Sequence, residues 1–246
     1  MGWRRGWQRW VQNPQSASWR KLLLQGHLWV GLAMGLYIVL ISVSGSAVVF
    51  RREVNRWFRP AEHEFGDALP LAIRLMEWGV DFHDNLLAGS AGRTVNGVAA
   101  ILVMVLLITG AVLWWPGKTR WPRSLIVPRP TKTRRFSWHL HNALGFWGFV
   151  LLCGWAVTGI YFAFPDPFEA TFNYLAADAE TYPRPGEEIL LTLIRWHFGR
   201  FGGLTIRILW VILGLIPAAM FVTGFIVWWR RRTPLSRTEP IRDEAA

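Results

Sequence analysis

Apolar residues are not spread evenly along this chain. They collect in four runs without a single charged side chain: Leu22–Phe50, Thr94–Gly117, Phe136–Pro165 and Ile208–Trp229, of 29, 24, 30 and 22 residues. A helix needs about 20 predominantly apolar residues to cross a bilayer core. The pattern predicts an all-α integral membrane protein with four transmembrane helices at about 22–50, 94–117, 136–165 and 208–229. The first run is too long for a cleavable signal peptide and has no small-residue cleavage site. The segments 51–93 and 166–207 are mixed in polarity. Each ends in a short helical piece that feeds the next span, "WGVDFHDNLLAG" and "LIRWHFGRFGG".

The same pattern occurs twice. A shift of 114 residues places His27 on His141, Gly31 on Gly145, Gly45 on Gly159 and His83 on His197. It also places Arg93 on Arg207, Thr109-Gly110 on Thr223-Gly224 and Trp114-Trp115 on Trp228-Trp229. Over residues 22–115 against 136–229, 13 of 94 positions agree. Most of them collect on histidine, glycine, arginine and tryptophan, whereas an artefact of lipid-facing composition would give mostly aliphatic matches. The expectation is two tandem units, 22–115 and 136–229, each crossing the membrane twice and therefore parallel in orientation. The product is a four-helix bundle with approximate two-fold symmetry.

Charge orients this bundle. Segments 1–21, 118–135 and 230–246 sum to +14, whereas 51–93 and 166–207 sum to −3. Basic loops stay in the cytoplasm. Both termini and the middle loop are therefore expected there, with 51–93 and 166–207 outside. The net charge of +11 is explained by topology and by anionic lipid headgroups, and nucleic-acid binding is excluded. The 17 tryptophans include pairs at span ends, where amphipathic rings favour the headgroup level. The single cysteine, Cys153, permits no internal disulfide and reads as a small packing residue in the third span.

The candidate chemistry lies in the histidines. An imidazole in lipid is costly unless paired or coordinated, and four of the six obey the repeat. His27 and His141 fall inside the cytoplasmic leaflet, and His83 and His197 precede the second and fourth spans on the other side. His27 and Gly45 are 18 residues apart, five full turns of an unbroken helix, so histidine and glycine are expected on one face. One imidazole from each half of a four-helix interior matches the axial ligand set of a b-type haem. Zinc would call for a fuller tetrahedral set. No Cys-x-x-Cys-His is present, so covalent haem attachment is excluded. His63 lies in a polar run and reads as solvated, and His139 is a rival to His141 as ligand. Arg93 and Arg207 sit at the outer edges of their spans, either as anchors that snorkel to water or as partners of haem propionates.

These residues form a motif series: "HLWVGL…SVSG" at 27–45, "HDNLLAG…LLITGAVLWWP" at 83–116, "HNALGFWG…VTG" at 141–159 and "HFGRFGG…VTGFIVWWRRR" at 197–232. In this order they resemble the PepSY-associated transmembrane helix family, bacterial inner-membrane proteins that include iron-regulated and siderophore-linked reductases. The resemblance implies a membrane oxidoreductase or electron carrier with two haems b, and transfers the ligand role to His27, His83, His141 and His197. Larger relatives carry a sizeable domain between spans one and two. Here 51–93 holds only 43 residues, so this is a short form without a full extracytoplasmic domain.

The expected function is transfer of electrons from a cytoplasmic or quinol donor, or a partner dehydrogenase, to an extracytoplasmic acceptor such as a ferric complex. No nucleotide-binding motif is present, so NAD(P)H is not expected to be oxidised within the chain. Two other functions use the same features. A small transporter would use the repeat and relay protons through the histidines. A non-catalytic assembly subunit would use the histidines as polar contacts between helices.

Overall fold

The uncharged runs become helices because a backbone in lipid must satisfy its own hydrogen bonds. The computed structural model describes residues 11–12, 14, 18–58, 69–118, 121–128, 133–175 and 185–232, and His63 lies outside them. Among the described residues all regular structure is helical. The first run forms α1 (Trp19–Ala33) and α2 (Gly35–Val48), followed by the short α3 (Arg51–Phe58) and by α4 (Leu71–Asn85). The second run is α5 (Gly89–Trp114) and the third is α7 (Thr133–Ala163), with α6 (Trp121–Ser124) between them. After α8 (Pro165–Leu175) and α9 (Pro185–His197), the fourth run is α10 (Leu204–Gly214) and α11 (Ile216–Arg232).

Among the described residues three stretches are long and apolar enough to cross a membrane: Gly89–Trp114, Arg135–Ala163 and Leu204–Arg232. The α1–α2 pair makes a fourth if it is one span, bent by 59°. The straight-helix phase expected between His27 and Gly45 therefore does not apply, since the helix breaks at Met34. Gly35 follows the break, and the Phe221 ring occupies the space a Cβ there would need.

The fourth run is interrupted at Leu215, two residues before Pro217. Proline has no N–H to return to the preceding turn, and around the break the Leu215 N–H turns to Ile212 and the Ala218 N–H to Ser42 Oγ, so the carbonyls of Val211 and Gly214 are left over. Two serines of α2 repair the gap. Ser42 Oγ donates to the Gly214 carbonyl at 2.5 Å, and Ser46 Oγ donates to that of Val211 at 3.1 Å. Both serines are buried. The sequence predicts a local kink from Pro217, and tertiary contact supplies the partners that make it tolerable.

In the middle of the bundle α5 packs on α7, and α11 packs on α7 and α2. Leu107, Leu152 and Ala156 form the core, with Cys153 packed against them as expected of a small filler. Large apolar side chains such as Leu22 and Leu36 instead face outward, 78% and 71% exposed. On a chain with these spans, that surface is covered by lipid.

The outer helices are tied to the spans by ion pairs. Arg207 at the start of α10 pairs with Glu53 of α3, and their side chains are 27% and 13% exposed. The other oxygen of Glu53 is buried without a hydrogen bond. Arg207→Ala would leave that carboxylate uncompensated, which costs about 2–3 kcal/mol, just under the range for a fully buried pair. Thermal unfolding in detergent should show the loss, and Glu53→Gln added to Arg207→Ala should recover part of it. A neutral Arg207→Ala would mean the pair carries no net stabilisation.

Candidate functional site

The four repeat-related histidines converge on one interior space. A continuous cavity of about 1510 Å3 runs through the bundle, and His27, His83, His141 and His197 all line it. A single small-molecule site usually occupies about 300–1,000 Å3, so this space exceeds what one such ligand fills. Gly45 and Gly159 also line it, which is the outcome expected for the glycines. His139 does not line it. Its ring sits edge-on against Trp138 at 4.9 Å, and its Nδ1 is buried without a partner.

His83 and His197 come from helices that end inside the bundle. Their ring centres are 6.4 Å apart with planes tilted by 60°. Two imidazoles on opposite sides of one metal, each nitrogen about 2.0 Å from it and each ring centre about 1.1 Å behind its nitrogen, would stand about 6 Å apart. The observed spacing matches. His27 and His141 lie close enough to interact electrostatically. The two sets are well separated. On α7, His141 and the residue that holds His197, Thr158, are 17 positions apart, about 25 Å along the axis.

What each ring does with its two nitrogens is uniform. His27 Nδ1 meets Thr109 Oγ1 at 2.9 Å, and His141 Nδ1 meets the Met220 carbonyl at 2.9 Å and Thr223 Oγ1 at 3.3 Å. His83 Nδ1 meets Ser44 Oγ at 3.1 Å, and His197 Nδ1 meets Thr158 Oγ1 at 2.6 Å. The hydroxyls have already committed their protons to carbonyls of the preceding turn: Thr109 to Val105, Thr223 to Ala219, Ser44 to Ile41 and Thr158 to Gly154. With their protons on those carbonyls they are placed to accept from the imidazole, and the Met220 carbonyl can only accept. The Met220 contact puts the His141 proton on Nδ1 and its lone pair on Nε2, and the hydroxyl contacts suit the same tautomer at His27, His83 and His197. Among the described residues no hydrogen bond occupies any of the four Nε2 atoms.

The backbone around His83 is shaped to hold it there. Leu86 and Leu87 close the turn after α4 in the left-handed region, at φ 53° and 60°, a costly conformation for a γ-branched residue. The Asn96 amide donates to the carbonyls of His83 and Asp84 at 2.8 and 2.7 Å, and Tyr37 donates to Asn96 at 3.1 Å. Burial lowers the pKa of the His83 imidazole. It also pushes His197 down to about 3, with the nearby His83 a second cause. Both rings are neutral at physiological pH, the form in which an imidazole binds a metal.

Arg93 and Arg207 are engaged elsewhere. Arg93 pairs with Asp84 and Arg207 with Glu53, and neither lines the cavity. The arginines that do are Arg51 and Arg200 at the His83–His197 end, and Arg20 and Arg231 at the His27–His141 end. Arg51 is held in a two-bond fork with Glu77 at 3.1 and 2.6 Å. The hydroxyl partners had a signal in the sequence, since each stands next to a repeated glycine: Ser44-Gly45, Thr158-Gly159, Thr109-Gly110 and Thr223-Gly224. Asn96 and Tyr37 have no counterpart in the second unit and left none.

Among the described residues no three or more of His, Cys, Asp and Glu converge, so each end offers a pair of imidazoles and nothing more. That donor set does not suit zinc. It suits an iron already held in a plane by four other nitrogens. No curated protein matches the chain. A family model described as PepSY-associated TM region matches residues 24–73, 66–189 and 177–231.

Proposed function

The chain belongs to the PepSY-associated TM family, and from that premise and the histidine geometry we propose that it is a di-haem b-type electron-transfer protein of the bacterial inner membrane. His27 and His141 would hold one haem, and His83 and His197 the other. The observation that carries this reading is the shared engagement of all four Nδ1 atoms, which leaves the other ring nitrogen of four cavity-lining histidines for a ligand. When bound, haem iron supplies one-electron redox chemistry that no side chain of this chain provides.

The protein's part is placement and tuning. Its hydroxyls and the Met220 carbonyl hold each ring in one tautomer and raise the basicity of the ligating nitrogen. The apolar side chains of Leu107, Leu152 and Ala156 line the cavity along its length and give that stretch an apolar wall. The charge map supports a cytoplasmic His27–His141 end through the positive-inside rule. Electrons would enter there from a quinol or a partner dehydrogenase and leave at the other face to a ferric complex or redox protein. The 114-residue repeat supports an origin by duplication of a two-span unit.

A transporter would also use a large interior cavity. It gives no reason for four imidazoles to share one tautomer with the same nitrogen left free. The visible spectrum of chain purified from haem-replete cells separates the two. Bis-imidazole haem gives a sharp low-spin spectrum on reduction, and folded but colourless protein would sink the proposal.

Thr158→Val tests the hydroxyl shell. Thr158 is 1% exposed, valine has nearly its shape, and only the acceptor for His197 Nδ1 is lost. Changing such an outer partner typically weakens metal affinity about 10–100-fold. Haem at the His83–His197 site should be lost about tenfold faster to a scavenging apoprotein, while the other site is unchanged. Equal loss rates would mean that Thr158 does not tune this ligand.

A further inference from the structure

Hydrogen-bond donors are in excess at the His27–His141 end of the cavity. Trp114 and Trp228 both line it there, and the indole Nε1 of each is buried with no partner among the described residues. An indole N–H can only donate, and a buried donor left unmade is costly. The two tryptophans are separated by the repeat interval of 114 residues, near the ends of α5 and α11.

Each tryptophan has an arginine beside it on the cavity wall. Arg20 donates to the carbonyls of Val112 and Leu113, the residues just before Trp114. Arg231 follows Trp228 by three residues on α11 and so shares its side of the helix. Among the described residues no ion pair engages either arginine. The sequence has no Asp or Glu in 1–52, 85–165 or 189–238, so the spans that build this end bring no carboxylate to it. Four donor side chains, two tryptophans and two arginines, thus stand beside a space to which those spans supply no anionic acceptor.

We infer that Trp114 with Arg20, and Trp228 with Arg231, form two carboxylate clamps that take the two propionates of the haem carried by His27 and His141. The inference rests on the haem reading above. A haem b carries two carboxylates on one edge of a flat ring, and two donor sets stand at one end of the space where that ring would sit. Guanidinium and indole N–H groups both make strong, short bonds to an ionised carboxylate. A quinone carbonyl is neutral and has no need of two arginines. A lipid phosphate could use the arginines, and it is an outcome of the test.

The experiment compares protohaem with its dimethyl ester, which keeps the iron and the ring but removes both carboxylates. Full-length chain bearing His83→Ala and His197→Ala, purified haem-free, isolates the site in question. We expect it to bind protohaem at least tenfold more tightly than the ester. Adding Trp114→Phe and Trp228→Phe should bring that ratio close to one, with the low-spin bis-imidazole spectrum retained. Trp229→Phe, next to the clamp but not lining the cavity, should keep the full ratio.

In chain with all four histidines, haem retained at the His83–His197 site reports that the Trp114→Phe and Trp228→Phe variant is folded. A preference for protohaem that survives both Trp→Phe changes and also Arg20→Gln with Arg231→Gln overturns the clamps and leaves the haem reading standing. So does equal binding of the two compounds by the unaltered site, which would assign the donors to another acceptor such as lipid phosphate. Failure of both compounds to bind chain with all four histidines overturns the haem reading, and the clamps with it.

Discussion

Replacing His27 and His141 together by alanine is expected to halve the haem content of the purified protein, from two per chain to one. The same should follow from replacing His83 and His197. The halving has a structural reason: the two sets of rings stand about 25 Å apart along α7, too far for one set to support the ligand of the other. Each is also held by its own shell. Thr109, Met220 and Thr223 serve one end, and Ser44 and Thr158 the other. A single replacement such as His141→Ala should leave a five-coordinate iron, with a high-spin contribution and faster haem loss. The pyridine-haemochrome assay gives the count and the Soret band gives the spin state. His139→Ala should change neither, because His139 lies outside the cavity. Loss of a haem in His139→Ala with His141→Ala intact would transfer the ligand role to His139.

Gly45→Val should remove the haem of the His83–His197 end almost as completely as losing the histidine. A Cβ at position 45 would stand 2.7 Å from His83 Cε1 and 3.2 Å from its Nδ1, inside any permitted contact. The ring cannot step aside, since Ser44 and the turn at Leu86–Leu87 fix it from both sides. Gly159, its repeat counterpart, makes a sharp comparison. A Cβ there would meet the Ala100 methyl at 3.3 Å and no histidine. Gly159→Val should therefore strain the α5–α7 packing and lower thermal stability, with His197 still able to hold its ligand. The contrast is read by haem content and melting temperature of the two variants side by side. Equal haem loss in both would mean that helix spacing, and not ring clearance, governs the site.

Much of this site was legible from spacing alone. The 114-residue shift singled out four of six histidines, and those four line the cavity while His139 does not. It also marked the Ser-Gly and Thr-Gly pairs whose hydroxyls hold the rings. Their task could not be read, because each hydroxyl acts on a histidine 39 or 82 positions away, and only helix packing brings them together. The same holds for Ser42 and Ser46, which meet carbonyls freed by a break on the far side of the chain.

Other features failed for identifiable reasons. The bend at Met34 has no proline to announce it. It arises where Gly35 lets the ring of Phe221 press against the backbone. Arg93 and Arg207 stand near the ends of their apolar runs, yet sequence position gives no azimuth, and Asp84 and Glu53 hold them off the cavity. The donors that do face it, Arg20 and Arg231 with Trp114 and Trp228, looked in the sequence like ordinary boundary residues. Their buried, unmatched N–H groups appear only once the helices are packed.

The most direct test of transmembrane electron transfer uses liposomes that contain the haem-loaded chain and a trapped, membrane-impermeant ferric acceptor. An impermeant reductant is then added outside. The account predicts reduction of the trapped acceptor at a rate proportional to protein, and its loss when either histidine set is replaced by alanine. Haem that is reduced from the outside while the trapped acceptor stays oxidised, in vesicles where an acceptor on the reductant's own side reacts, would contradict it.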